Sequence, residues 1–377
     1  MLLGRVASQM VALVLVLLVL ERYGSPELAG LATFLSLIPG LLVSPIAGTL
    51  LDRYGRLRLI LLDYAVAMSA LLLLAGLSIA NSLPVPLFLF IVALQSLTFP
   101  LSTVGMRTLF PLVVPRPLWE RANAIDSNGY AVSTIVGPAV AGAVVAAFHG
   151  EGGLIAAAVA FALAALVTLG VHDSPVRGGG EGGLLGAAWG GVVYVAGHTT
   201  LRGLAVAISV SNVAGGILYI AIPVMVLHEP GGTTALVGQL YAAMGVAAFI
   251  SVMIVGRVPS AGRERGFMLV AIAVQVVAIA LLLARPELAV VAVAMIVRGA
   301  AEGMFDVPMF TLRQRTTDPA WLGRAFAVSM SLNFIGMPIG SAIGGALVAA
   351  SPALALSTAL VTATASGVAM YLLVPRG

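Results

Sequence analysis

Residues 325–375 read AFAVSMSLNFIGMPIGSAIGGALVAASPALALSTALVTATASGVAMYLLVP and contain no charged side chain. A helix needs about 20 apolar residues to cross a bilayer, so this run is long enough for two spans. Ser351 and Pro352 lie near its middle, where residues of this kind favour a turn. The run therefore predicts a pair of transmembrane helices at the end of the chain.

The composition of the whole chain is also that of a membrane protein. Apolar residues make up 60% and charged residues 9% of the sequence, and the mean hydropathy is +1.09. Soluble domains are about a quarter charged. Ten further segments are apolar over a similar length: residues 1–20, 28–51, 59–80, 83–106, 122–148, 152–171, 203–227, 231–256, 266–284 and 288–312. Together with the last pair they predict an all-α membrane protein with twelve transmembrane helices.

The distribution of arginine predicts how the chain is oriented. All 19 basic residues are arginines. If the N-terminus is cytoplasmic, only Arg22 and Arg285 fall in outside loops, and the other loop arginines fall inside. This is the asymmetry of the positive-inside rule, so we expect both termini in the cytoplasm. The sequence pI of about 9.8 is then a consequence of membrane topology and does not indicate nucleic-acid binding.

Two distant parts of the chain resemble each other. Residues 121–147 align without a gap on residues 324–350, with RANA at the start of the first segment and RAFA at the start of the second. The offset is close to half the length of the chain. Such a repeat predicts two parallel, pseudo-symmetric bundles of six helices each.

The two predicted bundles are residues 1–173 and residues 201–377, joined by residues 174–200. The first part of this connection, residues 174–183, is polar and rich in glycine, which is typical of a flexible linker. The remainder is apolar and contains Trp189, Tyr194 and His198. We therefore expect a cytoplasmic linker that includes one helix on the membrane surface.

The loop between the second and third spans carries a distinctive pattern, GTLLDRYGRLR at residues 48–58. It resembles the loop signature of the major facilitator superfamily. The resemblance implies secondary transport by two six-helix bundles that rock about a central cavity. The residues that carry the pattern are Gly48, Asp52, Arg53, Gly55, Arg56 and Arg58.

Each part of this gating loop has a physical rationale. Gly48 permits close helix approach, Gly55 permits a tight turn, and the arginines anchor the cytoplasmic face. Asp52 is expected to face the positive N-terminal end of span 11, which begins near Asp318, and to latch the two halves together. The alternative is that these charges only set the topology.

The tenth predicted span contains three ionisable residues, Arg298, Glu302 and Asp306. Each charge costs about 2.5–3.5 kcal/mol within the bilayer on insertion scales, so three on one face indicate an aqueous cavity. Arg298 is expected to hold Glu302 ionised, while Asp306 gains and loses a proton. The structural alternative is an ion-pair network that joins this helix to a neighbour.

In the fold that the resemblance implies, spans 1, 4, 7 and 10 line the cavity. Their remaining polar candidates are Gln9, Gln95, Asn212 and Tyr219. This set is too sparse for a sugar, whose many polar groups would each need a partner. A small amphipathic or lipophilic compound fits such a wall better.

Span 5 contains Gly137, Pro138 and Gly142, which are similar to a glycine-proline signature of exporters that work by antiport. Simple helix packing is the alternative explanation for the same residues. Together with a loose resemblance to bacterial drug and siderophore exporters, the motif favours export. The resemblance implies a multi-pass protein of the bacterial cytoplasmic (inner) membrane.

The sequence offers little for an enzyme. It has no nucleophile and base pair, no metal-ligand cluster among its four histidines, and no phosphate-binding lysine after Gly178–Gly183. We expect no cofactor and no metal. The predicted function is a proton-coupled exporter, monomeric, with a small amphipathic molecule, protons and the lipid bilayer as its partners. An importer or lipid translocase on the same fold is the alternative, and a membrane enzyme ranks last.

Overall fold

The computed structural model describes residues 2–113, 119–170, 184–258, 260, 262–318 and 321–375. Within these ranges the chain forms helices and no strand. The helices are α1 Leu2–Tyr23, α2 Pro26–Leu35, α3 Ile38–Tyr54, α4 Arg56–Ile79, α5 Val85–Ser96, α6 Phe99–Val113, α7 Trp119–Leu169, α8 Leu184–Gly197, α9 Thr199–His228, α10 Thr234–Val255, α11 Glu264–Ala284, α12 Leu288–Thr316, α13 Leu322–Ala350 and α14 Pro352–Leu373.

Eleven segments of the described residues are long and apolar enough to cross a membrane. One of them, Gly129–Leu169, has 41 residues and is kinked where Phe148 and His149 leave the helical conformation. It is long enough for two spans. The described part of the chain thus contains the twelve predicted spans, and the predicted all-α fold class is confirmed.

The kink in α7 is held by the end of α1. His149 has φ +59°, a left-handed conformation that is uncommon for a residue with a side chain. The Gly150 amide donates a hydrogen bond of 2.8 Å to a carboxylate oxygen of Glu21, and His149 contacts the other oxygen. The carboxylate therefore satisfies a backbone donor that the kink leaves without an intrahelical partner.

Two spans predicted as continuous helices are broken in the structure. The second span is divided between α2 and α3 ahead of Pro39, and the fourth between α5 and α6 ahead of Pro100. Proline lacks an amide hydrogen and restricts the residue before it, so it interrupts the backbone hydrogen bonds at these points. At the second break the Thr98 hydroxyl donates to the Gln95 carbonyl oxygen at 3.0 Å and so provides this carbonyl with a hydrogen bond.

The chain folds as two compact units, one of Met1–Gly24 and Ala32–Leu185 and the other of Ser25–Leu31 and Gly186–Gly377. The first unit is built around α1, whose Leu13, Val14 and Leu17 are completely or almost completely buried. Helix α7 packs closely on α1, because a Cβ added at Gly137 would lie 2.5 Å from Gln9 Cβ. Glycine is thus required at this contact by the approach of the two helices.

The second unit is built around α9, against which α13 packs through a row of glycines. A Cβ at Gly336 would lie 2.0 Å from the Ser209 carbonyl oxygen, and one at Gly340 would lie 2.1 Å from that of Val213. The four-residue spacing places these glycines on one face of α13. In the same unit Ser25–Leu31 also reaches α13, where a Cβ at Gly345 would meet the Pro26 carbonyl oxygen at 2.4 Å.

Candidate functional site

Helix α12 carries the predicted charged residues and extends beyond its predicted end at residue 312. It runs over Leu288–Thr316, which brings Arg313 into the helix. The prediction that Arg313 lies in a cytoplasmic loop was wrong: its side chain is 0% exposed. Its Nη1 contacts the Met330 sulfur at 2.9 Å. Its Nη2 donates to the side-chain amide oxygen of Asn333 at 2.9 Å, in the amide orientation that also lets the Asn333 nitrogen donate to the Ser329 carbonyl oxygen.

Four ionisable residues consequently share one face of α12: Arg298, Glu302, Asp306 and Arg313. At 100° per residue they fall within an arc of about 80°. Their signs along the helix are plus, minus, minus, plus. Met295 and Met309 lie in the same arc and are buried, so the charges belong to the packed side of the helix.

Arg298 has few partners for a buried cation. It is 9% exposed, its Nη1 lies 3.9 Å from the Met295 sulfur, and its Nε is buried without a hydrogen-bond partner in the described part of the chain. A thioether is only a weak acceptor. Glu302 lies one turn away and interacts with Arg298 electrostatically, but the two form no direct ion pair.

The two carboxyl groups differ in their surroundings. Glu302 lies in the middle of the packed arc and is nevertheless exposed, so the packing opens at this point. Asp306 is half-buried and interacts electrostatically with Glu302 and Arg313. Within the described residues neither carboxyl group takes part in an ion pair; the ion pair that joins α12 to a neighbouring helix there is that of Arg315 with Glu264 of α11.

Tyr219 and Tyr241 form the wall beside Arg298. Their rings are 5.5 Å apart and inclined by 60°, and the Tyr241 hydroxyl donates to the Tyr219 carbonyl oxygen at 3.2 Å. Tyr241 lies within electrostatic range of Arg298. Helix α10 packs closely on α12 at Gly299, because a Cβ added there would lie 2.1 Å from the Met244 carbonyl oxygen. Tyr219 was predicted from the sequence, whereas Tyr241 was not.

Asn212 joins two helices of the second unit. Its Nδ2 donates to the Asn333 carbonyl oxygen at 2.7 Å, and Ser209, one turn earlier on α9, donates to that of Leu332 at 2.5 Å. Both bonds tie α9 to α13. In the structure Asn212 thus serves the packing of these helices, and its amide nitrogen is already engaged.

The candidates of the first unit lie on α1, α5 and α7. Gln9 is half-buried at the contact with Gly137, and Gln95 is half-buried next to the break between α5 and α6. Pro138 and Gly142 follow Gly137 within α7. The close contact of Gly137 with α1 accounts for the glycine by packing.

Asp63 is a further buried carboxyl group in the first unit. It lies on α4, is 4% exposed, and faces the hydroxyls of Thr98 and Ser102. The Thr98 and Ser102 hydroxyls donate to the carbonyl oxygens of Gln95 and Phe99, at 3.0 and 3.3 Å, and the role of Asp63 is not established by these contacts.

The gating loop forms a sharp turn between α3 and α4. Gly55 connects the two helices with φ +93°, a conformation that favours glycine, and its amide bonds to the Leu51 carbonyl at 3.2 Å. Arg53 and Arg58 are exposed, and Arg56 is half-buried. Gly48 and Asp52 belong to α3, but the surroundings of Gly48 and the side chain of Asp52 lie outside what the structure describes.

The proposed partner of Asp52 is occupied by another element. The amide of Asp318, just before α13, donates to the Tyr194 hydroxyl of α8 at 3.1 Å. Tyr194 also stacks on Trp321, with 5.0 Å between the ring centroids and 9° between their planes. The entry to α13 is thus engaged by α8, and the Asp52 latch stays a prediction.

Comparisons with known proteins agree with the helical architecture. A family model described as Major Facilitator Superfamily matches residues 1–258. An uncharacterized MFS-type transporter, y4rN, of Sinorhizobium fredii (strain NBRC 101917 / NGR234) is 37% identical over 344 residues, which cover 90% of this chain and 84% of that one.

Two shorter similarities involve named transporters. The staphyloferrin A transporter of Staphylococcus aureus (strain NCTC 8325 / PS 47) is 26% identical over 156 residues, covering 41% of this chain and 39% of that one. Macrolide efflux protein A of Streptococcus pyogenes is 23% identical over 136 residues, covering 36% and 34%.

Two solved structures are similar along almost the whole chain. The nucleoside transporter NupG has a TM-score of 0.75 at 12% identity, with 99% of this chain and 96% of that chain covered. A bacterial homologue of the iron transporter ferroportin, in an inward-facing state, has a TM-score of 0.69 at 16% identity, with 98% and 95% covered. At these identities the similarity shows a common fold and carries no information on cargo.

Proposed function

The chain belongs to the major facilitator superfamily, and we propose that it is a proton-coupled transporter that exports small amphipathic compounds. The observation that carries the proposal is the charged face of α12, where two carboxyl groups lie on the packed side of a membrane helix without forming ion pairs among the described residues. Charges held in this way are costly and mark transport pathways in membrane proteins. Membership of a family of transporters also leaves no reason to expect an enzyme.

Asp306 is the proposed proton carrier. Glu302 lies about 6 Å along the helix from Asp306, whereas Arg313 lies about 10 Å away in the other direction. The nearer charge has the larger effect at equal dielectric constant, so repulsion by Glu302 outweighs attraction by Arg313. Glu302 is exposed and Asp306 is half-buried, so the two carboxyl groups have different surroundings. The two groups form a coupled pair, in which protonation of one changes the other.

The sparse polarity of the site supports an amphipathic cargo. The side chains around the charges are apolar or weakly polar: Tyr241, Met295 and Met309 are buried, and Tyr219 is half-buried. Asn212, a predicted cavity residue, is engaged with α13, which reduces the number of polar groups free to bind a cargo. A hydrophilic solute would leave many of its groups unpaired at such a wall.

The direction of transport is proposed from two weaker supports. One is the similarity to macrolide efflux protein A over about a third of the chain, and the other is the glycine-proline motif at Gly137 and Pro138. Import on the same fold remains the alternative. We further propose the cytoplasmic membrane of a bacterium as the location, with both termini inside, because arginine is concentrated in the loops assigned to that side.

The proposal is tested with inverted membrane vesicles from cells that express the chain. A panel of fluorescent amphipathic dyes is added, and dye accumulation is followed while the proton gradient is imposed and then collapsed with an uncoupler. We expect accumulation that requires the gradient and is absent in vesicles without the protein. Uptake that is insensitive to the uncoupler contradicts proton coupling, and gradient-driven accumulation only in right-side-out vesicles contradicts export.

A further inference from the structure

Helix α8 is apolar on all sides. Its sequence, LLGAAWGGVVYVAG over Leu184–Gly197, contains no charged residue. A helix that is apolar all round is stable only when every side is covered by protein or lipid. The environment of each of its faces is therefore informative.

One face of α8 is bound by the second unit. Gly190 faces the Trp321 indole, since a Cβ there would lie 3.5 Å from the ring, and Tyr194 stacks on the same ring. Val195 is 2% exposed and forms a small core with Leu201 and Ala325. This face connects α8 to the beginning of α13 and of α9.

The opposite face of α8 is not covered by any described part of the chain. Trp189 is 68% exposed and Val193 55%, and Val192 and Ala196 are exposed beside them. At 100° per residue these four positions fall within an arc of about 100°, opposite Gly190, Tyr194 and Val195. A contiguous apolar surface of this kind marks an interaction site.

The position of α8 along the chain identifies what covers this surface. Only His198 separates α8 from α9, which crosses the membrane. With 30 residues α9 is about 45 Å long, so its ends reach the polar edge of a bilayer whose hydrocarbon core is about 30 Å thick. Arg202, in the first turn of α9, donates to the Ala196 carbonyl at 3.0 Å and places a cation at the same level. Tryptophan beside arginine is typical of the membrane interface.

We propose that the exposed face of α8 inserts into the boundary between lipid head groups and acyl chains, so that α8 anchors the second unit to the membrane surface. The burial expected for an interfacial helix is about 5–10 Å below the head groups. Because Tyr194 and Trp321 join α8 to α13, this anchor also holds the entry of α13 at the membrane edge. Insertion of α8 into the membrane surface depends neither on the cargo nor on proton coupling.

The test uses spin labels, for which the absence of native cysteine is an advantage. Single cysteines replace Val193 on α8, Val277 on the exposed side of α11 as the lipid reference, and Arg285 in the connection between α11 and α12 as the aqueous reference. The full-length protein is reconstituted in phosphatidylcholine nanodiscs. Accessibility of each label to molecular oxygen and to nickel ethylenediaminediacetate is then measured by electron paramagnetic resonance.

We expect the Val193→Cys label to resemble the Val277→Cys label, with collisions with oxygen exceeding those with the nickel complex by several-fold. A label at Val193 that is as accessible to nickel as the one at Arg285 overturns the proposal. Exclusion of both reagents also overturns it, because protein would then cover the face.

A second measurement tests the connection to α13. Tyr194→Ala removes both the stacking on Trp321 and the hydrogen bond from the Asp318 amide, whereas Tyr194→Phe keeps the stacking. We expect the Val193→Cys label to become at least two-fold more mobile in the first variant and to change little in the second. Equal mobility in all three proteins contradicts the anchoring of α13 by α8.

Discussion

Asp306 and Glu302 are one helical turn apart on α12, yet one is half-buried and the other exposed. We predict that Asp306→Asn abolishes uphill export and leaves downhill movement of cargo intact, because an amide resembles the protonated acid in size and polarity. The measurement is proton flux on addition of a transported dye to purified protein in liposomes. Glu287→Gln, an exposed carboxyl-to-amide change at the start of the same helix, is the matched control.

Cargo-driven proton flux at the normal rate in Asp306→Asn contradicts its role as carrier. In that case the carrier assignment moves to Glu302, the other member of the coupled pair. Loss of flux in both Asp306→Asn and Glu287→Gln shows instead that charge removal anywhere on α12 is harmful.

The two buried arginines of α12 lead to a second prediction at the residue scale. Among the described residues the one hydrogen-bond contact of Arg298 is with the Met295 thioether, whereas Arg313 is bound by Met330 and Asn333. A buried charge with few partners is costly to keep, so its replacement by an apolar residue of similar size costs little. Removal of a partner that leaves buried polar groups unsatisfied costs about 1–3 kcal/mol. Arg313→Met should therefore lower the thermal midpoint by several degrees and Arg298→Met should leave it nearly unchanged, as followed by thermal unfolding in detergent. An equal decrease of the thermal midpoint in the two variants contradicts the expected difference between Arg313 and Arg298.

The charged residues of α12 were predictable from the sequence, but their surroundings were not. Arg298, Glu302 and Asp306 are conspicuous because charge is rare in an apolar span. Arg313 was missed because an arginine at the end of an apolar run is usually a loop residue under the positive-inside rule. Tyr241 and Asn333 are neutral, and their importance depends on the register of α10 and α13 against α12, which the sequence of one helix does not contain.

At the scale of elements, helix existence was predictable and helix continuity was not. The apolar runs predicted spans two and four as unbroken, although Pro39 and Pro100 mark the points where the structure divides them. Proline inside a membrane helix is often tolerated, as Pro138 in α7 and Pro308 in α12 show. Whether it breaks or only bends the helix depends on the partners that satisfy the freed carbonyls.

The packing of α7 on α1 provides the prediction at this scale. Gly137→Ala places a Cβ 2.5 Å from Gln9 Cβ, so the helices must separate, at a cost of about 1–3 kcal/mol for overpacking. Gly76→Ala on α4 is the matched control, since nothing lies within 4 Å of its added Cβ. We expect thermal unfolding of purified protein to show a lower midpoint for Gly137→Ala and an unchanged or higher midpoint for Gly76→Ala.

The two variants also separate packing from a role in transport direction. Export that falls only in proportion to the amount of folded Gly137→Ala agrees with packing. A folded variant in which proton flux persists without export indicates that the glycine-proline motif controls coupling.

At the scale of the whole molecule, the orientation in the membrane is a prediction from arginine counts alone. Arg58 is the last residue of the gating loop and Arg285 follows α11; both are exposed. We predict that, in intact cells, a membrane-impermeant maleimide labels Arg285→Cys and not Arg58→Cys. Labelling of Arg58→Cys after permeabilisation is the control for reactivity, and the reverse pattern contradicts the proposed topology.

The broken second and fourth spans have a consequence for measurements of motion in this protein. Each consists of two short rods joined by a break, α2 with α3 and α5 with α6, and a joint of this kind lets one rod tilt while the other stays in place. A pair of probes on the ends of α3 and α6 therefore reports on those rods alone. Distances recorded from α2 and α5 need not change in step, and a study of the transport cycle requires separate reporters on each side of both joints.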